Sequence, residues 1–299
     1  MNAAAWQGSV AIDGRIVDRE HATISVYDRG FIFGDSVFDT TRTYDGVPFR
    51  LEAHVERLAR SAAKMGFELP LSVADFTAEI RRLVDEARGA SGGLELSVRQ
   101  MVTRGQGPFG LDPEGATEPR RVLFLQPLKA PSPAMYRDGV GVITYATFRP
   151  SDAAQGAKVG NYLESVLAVR HAHERGAHEA LILCHDGHVI EGTTTNVFAI
   201  YGTRLVTPPT TETILPGITR GLVLEVAASA GFTVEERRMV PADFATADEA
   251  FITSSIRELL PISSIDGKPI AKGSPWPGVR RLHEAFRAKN GLGGPSPWG

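Results

Sequence analysis

The sequence predicts an α+β fold in two domains, and three observations carry that prediction. Short alternating apolar segments joined by Asp-Gly turns read as hairpins, amphipathic helices are inserted among them, and strands and helices do not alternate regularly as in a doubly wound sheet. A proline-rich stretch, Pro127 to Pro133, divides the chain, because proline supplies no ladder hydrogen bond and keeps the backbone extended. The expected division is a small N-terminal domain over 1–127, a linker over 128–133, a larger C-terminal domain over 134–288 and a disordered Gly/Pro/Ser tail over 289–299.

Each element follows from local pattern. Ser9 to Ile12, the turn Asp13-Gly14 and Arg15 to Val17 make a hairpin, and Phe33 to Tyr44 reads as a longer strand closed by Asp45-Gly46. Leu51 to Met65 has the spacing of an amphipathic helix. A second helix carries Val73, Phe76, Ile80, Leu83 and Val84 on one face behind the capping pair Ser72 and Asp75. Strands resume at Leu94 to Thr103 and Arg121 to Gln126. Beyond the linker, a strand is expected over Val140 to Phe148, a helix over Asn161 to Arg175, and a hairpin from Ala180 to Cys184 through Asp186-Gly187 to Val189-Ile190. Further strands are expected at Val197 to Ile200 and Ala250 to Thr253, and helices at Thr219 to Ala230 and Gly278 to Ala288.

Composition narrows the partners. The 299 residues carry a formal net charge of -3, and both signs are mixed along the chain, which gives no basic patch for nucleic acid and no polybasic anchor for a membrane. A small-molecule partner is expected. The single cysteine, Cys184, excludes an intrachain disulfide and a cysteine-rich metal site, and no metal is expected. Residues Met1 to Val10 lack the pattern of a signal peptide, so the expected location is cytoplasmic.

Lys158 points to the chemistry. In a chain rich in arginine and poor in lysine, it opens K-V-G-N-Y-L-E-S between an expected strand and an expected helix. A primary amine can lose its proton when desolvated and condense with an aldehyde, which a guanidinium cannot do. An aldehyde partner of that kind is pyridoxal phosphate. Glu191, in E-G-T-T-T-N-V-F, could hold a protonated pyridine nitrogen, although a strand-end glutamate facing water has the same local sequence. At L-P-G-I-T-R (215–220) a helix begins, with Gly217 permitting close approach, Thr219 offering a hydroxyl and unpaired amides suited to phosphate; an ordinary helix cap has the same residues. T-S-S-I (253–256) could form a second anion nest, and Arg57 in H-V-E-R-L could reach a phosphate or simply lie at the surface.

The order and wording of these motifs resemble the class IV (fold type IV) pyridoxal-phosphate aminotransferases. The resemblance runs from D-R-G-F-I-F-G-D-S-V-F (28–38) through H-V-E-R-L, Lys158, E-G-T-T-T-N-V-F and L-P-G-I-T-R to T-S-S-I-R-E (253–258), nearly the whole chain. It implies a small N-terminal α/β domain and a larger C-terminal domain with a barrel-like sheet, assembled as a homodimer or larger. It also implies that Lys158 is the Schiff-base lysine and proton carrier, that Glu191 is the pyridine partner, and that Tyr162 lies near the cofactor's phenolic oxygen. Arg57, Ile218, Thr219 and Ser255 would bind the phosphate, with Gly217 and Ser254 also at the cofactor. Phe33, Phe38, Thr40, Arg42, Arg99, Ile256 and Arg257 would line the substrate site. The implied reaction passes an amino group from an amino acid to a 2-oxo acid by way of pyridoxamine phosphate.

Within that family the motifs divide. Arg42 beyond Phe38, and Arg99, are similar to branched-chain transaminases, whereas G-A-H-E-A (176–180) and V-T-R-G (102–105) are closer to D-amino-acid transaminases. Phe109 and Leu111 stand where the latter carry an Arg-x-His carboxylate trap. Thr40 with Arg42 is also similar to aminodeoxychorismate lyases, and Asp39 with T-Y-D-G to (R)-amine transaminases. Arg42 and Arg99 are the expected carboxylate binders; Arg257 either adds charge or pairs with a local acid.

Overall fold

Alternation and turn chemistry build the first sheet. β1 (Ser9–Ile12) and β2 (Arg15–Val17) form the expected hairpin, with Asp13 and Gly14 both at positive φ in the turn. The computed structural model describes residues 6–147, 156–211, 214–270, 275–293 and 296–298. They fall into two units, Met1–Lys129 with Ala157–Asn161, and Ala130–Gly156 with Tyr162–Gly299.

One expectation in the first unit is corrected. The strand expected from Phe33 begins only at Ser36, because Arg29–Phe33 forms a short helix, α1. Asp28 caps it by accepting the Gly30 amide, and Gly34, left-handed at φ 67°, ends it. β3 (Ser36–Tyr44), β4 (Val47–Pro48), the helices α2 (Leu51–Lys64) and α3 (Val73–Ser91), and the strands β5 (Leu96–Thr103) and β6 (Arg120–Pro127) complete the set. The six strands run in the order β2-β1-β6-β5-β3-β4. Ser72 caps α3 as expected, its Oγ accepting the Asp75 amide at 3.1 Å. The apolar stripe Leu51, Val55, Leu58 and Ala62 of α2 meets Phe76, Ile80, Leu83 and Val84 of α3 and Val37, Val98 and Val102 of the sheet in one core.

The second unit opens with α4 (Pro133–Asp138), β7 (Val140–Ala146), α5 (Leu163–Glu174), β8 (Glu179–Leu183), β9 (Val189–Gly192), β10 (Asn196–Tyr201) and β11 (Arg204–Thr207). It continues through α6 (Ile218–Ala227), β12 (Thr233–Glu236), α7 (Pro241–Ala245), β13 (Glu249–Ser254), β14 (Glu258–Ile265), β15 (Lys268–Pro269) and α8 (Pro277–Lys289). Phe148, expected to end a strand, lies outside the described residues. The nine-stranded sheet follows the order β12-β11-β10-β13-β14-β7-β8-β9, with β15 on β14. β9 ends that order, yet Gly192 N–H donates to Thr195 O at 2.7 Å just before β10, and Val189 N–H to Met239 O at 2.7 Å just after β12. The sheet therefore curls into a half-barrel, in keeping with the expected barrel-like sheet, around Leu181, Val197, Ala199, Ile252, Leu260 and their neighbours. In the segment expected to be a disordered tail, Trp298 donates to His283 Nδ1 at 3.0 Å and packs edge-on against Tyr136.

Candidate active site

Lys158 belongs structurally to the first unit. Val159 bridges Val37, Phe38 N–H donates to Lys158 O at 3.0 Å and Gly160 N–H to Ser36 O at 2.7 Å, so the segment adds to β3 as a short extra strand. At Gly160 a Cβ would run into Ser36 Oγ, so any side chain there would force Ser36 to shift. On the other side, Lys158 N–H donates to Ser61 Oγ of α2 at 3.1 Å.

Strand period then sorts the neighbouring side chains. In the β3–β5 register Thr40 pairs with Arg99 and Phe38 with Met101, so Phe38, Thr40, Arg42 and Arg99 share one face of the sheet. Val37 and Asp39 point the other way, toward α2. On the shared face, Lys158 Nζ stands 4.6 Å from the centre of the Phe38 ring and the Arg99 guanidinium 4.4 Å from it. Arg42 lies over Tyr44 at 4.2 Å. Sequence reasoning named Lys158, Phe38, Thr40, Arg42 and Arg99, and the fold brings them together.

Arg57 is buried, and its guanidinium is held by Asp39 through Nε–Oδ2 and Nη2–Oδ1 bonds of 2.7 Å each. Asp39 Oδ1 also meets His54 Nδ1 at 2.8 Å. Burial pushes the Asp39 carboxyl up, but Arg57 and His54 outweigh it and hold the group well below the usual carboxylate range. Burial holds the His54 imidazole below its ordinary value despite Asp39. Its Nε2 is buried without a hydrogen-bond partner among the described residues.

Arg29 organises a neighbouring loop. Its Nη1 donates to the carbonyls of Pro108, Gly110 and Asp112 and its Nη2 to Leu111 O at 2.9 Å, while Nε is tied to Asp35 Oδ2 at 3.1 Å. That clamp presents Phe109 and Leu111, which are 81% and 84% exposed. Phe33 lies beside Phe109, with ring centres 6.4 Å apart.

In the second unit, Glu191 sits within β9, and its Oε2 accepts the Leu215 amide at 3.1 Å. Asn196 Nδ2 donates to Leu215 O at 3.0 Å, and Asn196 pairs with Thr253 across β10 and β13. Glu191, the start of α6 and the turn after β13 are thus joined through Leu215 and Asn196. α6 begins at Gly217 with no side-chain cap, and a Cβ on Gly217 would run into Asn196 Oδ1. Ile218 and Thr219 occupy its first turn, whose amides carry the positive end of the helix dipole.

In the turn after β13, Ser254 Oγ accepts the Arg257 amide at 3.2 Å, with Ser255 and Ile256 between them. Arg257 donates to Thr194 Oγ1 at 3.0 Å and lies 3.7 Å from the buried Glu179 carboxylate, so it has a local acid. Tyr162 precedes α5, at its N-cap position.

Each unit by itself carries groups whose chemistry suits the pyridoxal phosphate expected from the sequence: the first a primary amine over an aromatic ring, the second a strand-borne carboxylate and a helix N-terminus without a side-chain cap. Asp39, His54, Ser61 and Arg29 were not assigned roles from the sequence. A signal for two of them was present, since His54, Arg57 and Ser61 repeat at helical spacing as a polar stripe on the buried side of α2.

Comparison with known proteins agrees with this architecture. Residues 36–265 match the family described as amino-transferase class IV. A Methanocaldococcus jannaschii protein provisionally assigned as a branched-chain-amino-acid aminotransferase is 37% identical over 280 residues, covering 93% of this chain and 95% of its own. The D-alanine aminotransferase of Bacillus licheniformis is 35% identical, with 93% and 95% covered. Among solved structures, the Escherichia coli branched-chain amino acid aminotransferase superposes with a TM-score of 0.87 at 27% identity, covering 95% of this chain and 94% of that one. The T.th. branched-chain amino acid aminotransferase complexed with N-(5'-phosphopyridoxyl)-L-glutamate gives 0.86 at 30% identity, with 96% of each chain covered.

The fold is that of the fold type IV transaminases. The chain belongs to the class IV aminotransferases. Among the described residues, no helix is long and apolar enough to cross a membrane.

Proposed function

We propose that this aminotransferase moves an amino group from an amino acid, of the D or branched-chain-like kind, to a 2-oxo acid in two half-reactions that share one pyridoxal phosphate. The observation that carries this reading is the Phe38 ring, flanked by the Lys158 amine at 4.6 Å and the Arg99 guanidinium at 4.4 Å. It brings a nucleophilic amine and a carboxylate-binding cation to a single apolar platform.

Pyridoxal phosphate, when bound, supplies an aldehyde for the amine and a ring that accepts electrons from the substrate's α-carbon. Lys158 would hold it through Nζ, and the same amine would carry the proton of the substrate's α-carbon. Glu191 would hold a proton on the ring nitrogen. The amides of Ile218 and Thr219, the Thr219 hydroxyl, Ser254, Ser255 and Arg57 would receive the phosphate, Gly217 would let it approach, and Tyr162 would lie near the phenolic oxygen. Arg42 and Arg99 receive the substrate carboxylate, with Phe33, Thr40 and Ile256 around the side chain. Arg257 sits at the rim, with its charge shared with Glu179.

The exposed Phe109 and Leu111 support assembly with a second copy of the chain, which sedimentation would read as a dimer mass. Borohydride reduction followed by peptide mapping tests the chemistry: a pyridoxyl group fixed on Lys158, and absent from Lys158→Ala, is expected. A panel of L- and D-amino acids and (R)-amines, scored by the 2-oxo acid formed, then fixes the donor. Pyruvate release from aminodeoxychorismate without transfer would instead identify a lyase.

A further inference from the structure

We infer that Ser61 is a positioning residue for Lys158, and that its hydroxyl, beyond filling space, sets where the reactive amine stands. This deepens the proposed function and rests on the role given there to Lys158. The contacts close into a ring. Lys158 N–H donates to Ser61 Oγ at 3.1 Å, and Ser61 Oγ–H donates to Arg57 O at 2.9 Å. The Arg57 side chain grips Asp39 at 2.7 Å, and Phe38, the residue before Asp39, donates its amide to Lys158 O at 3.0 Å. The carbonyl of Lys158 is tied to β3, its amide to α2, and the two elements are bolted together by a buried ion pair.

The chemistry of Ser61 suits the link. It is 1% exposed, and its only proton is committed to the Arg57 carbonyl, which leaves its lone pairs for the Lys158 amide. Alanine would leave that amide without this acceptor, and an N–H left unpaired draws its backbone toward whatever acceptor remains. A displacement of a few tenths of an ångström at the Lys158 backbone is passed along the side chain to Nζ, where proton transfer depends on placement. Arg57 and Ser61 lie one helical turn apart on α2, so the helix that offers a guanidinium to the phosphate also sets the register of the lysine.

The test uses the cofactor-loaded enzyme and its Ser61→Ala and Ser61→Cys variants. Cysteine nearly keeps the shape but accepts a hydrogen bond poorly, so it serves if alanine fails to fold. Single-turnover rate per loaded active site is measured with an amino donor, alongside donor KM and Tm. The inference expects both variants to lose about tenfold or more in rate, with KM within about twofold of the parent. A purely structural role would lower Tm and cofactor loading and leave the rate per loaded site unchanged, and that result overturns the inference. Borohydride labelling separates the two levels. An unlabelled Lys158 in the parent enzyme sinks the proposed function, and Ser61 with it, whereas a labelled Lys158 with unchanged Ser61 variants sinks the Ser61 inference alone.

Discussion

Asp39 on β3 and Arg57 on α2 meet edge to edge, with both carboxylate oxygens and two guanidinium nitrogens in bonds of 2.7 Å and neither side chain open to solvent. A buried pair of this geometry contributes little over a well-packed apolar pair, but removing one member strands the other. Asp39→Asn should therefore lower unfolding free energy by about 3–5 kcal/mol, measured by urea denaturation. A loss under about 1 kcal/mol would mean that Arg57 finds other support.

Glu258 gives a pH signature in the second unit. Burial raises its carboxyl, but hydrogen bonds and charge from His283 and Arg287 bring it from the ordinary 4.5 down to about 2. A depressed carboxylate contributes fully above the ordinary value and loses its contribution as pH falls through the folded value. Stability on the order of 3 kcal/mol should therefore disappear between pH 4.5 and about 2. The gap between the parent and Glu258→Gln should close over that window; a gap of equal size at pH 7 and at the acid end would refute the assignment.

Gly217→Ala should weaken cofactor retention by about tenfold or more, because the added methyl meets Asn196 Oδ1 and displaces the start of α6. Fluorescence titration with pyridoxal phosphate reads this directly. An unchanged dissociation constant would remove the α6 N-terminus from the phosphate site.

Arg99→Ala should raise KM for both amino acid and 2-oxo acid by about tenfold or more, since a charge-assisted contact to carboxylate is lost. Unchanged Michaelis constants would assign the carboxylate to another group.

Arg29→Lys keeps the charge and loses the fork that reaches the carbonyls of Pro108, Gly110, Leu111 and Asp112. Hydrogen exchange in residues 108–112 should rise while exchange in β3 and β5 stays near that of the parent. Equal loop protection in the two proteins would show that Arg29 does not order it.

Elements with strong local signals are legible in the sequence. Ser72 and Asp75 mark the start of α3, and the Asp13-Gly14 turn fixes the first hairpin, because both depend on residues adjacent in the chain. Phe33 reads as strand but is helical: it sits just ahead of the alternating residues of β3, and the Asp28 cap and left-handed Gly34 that bound the helix there lie outside that pattern. β11, β12 and β14 escape a local reading: β11 and β14 follow β10 and β13 through turns without an Asp-Gly pair, and β12 pairs in parallel with β11 only across the α6 crossover.

In the site, Lys158, Glu191 and the α6 start stand out by chemistry and motif. Ser61 shows only as part of the buried polar stripe of α2, which does not reveal the amide it serves. Asp39 draws attention only as a departure from relatives, and its grip on Arg57 is visible only once β3 and α2 are packed together.

The lysine segment 157–161 is held by the first unit, although the chain reaches it only after β7 of the second. Division of the gene at residue 129 would yield two fragments, neither of them self-sufficient: one would keep the Phe38 platform and lack the amine, and the other would carry the amine without the strand that seats it. Activity should return only on mixing, which makes the chain suited to a split-protein complementation assay.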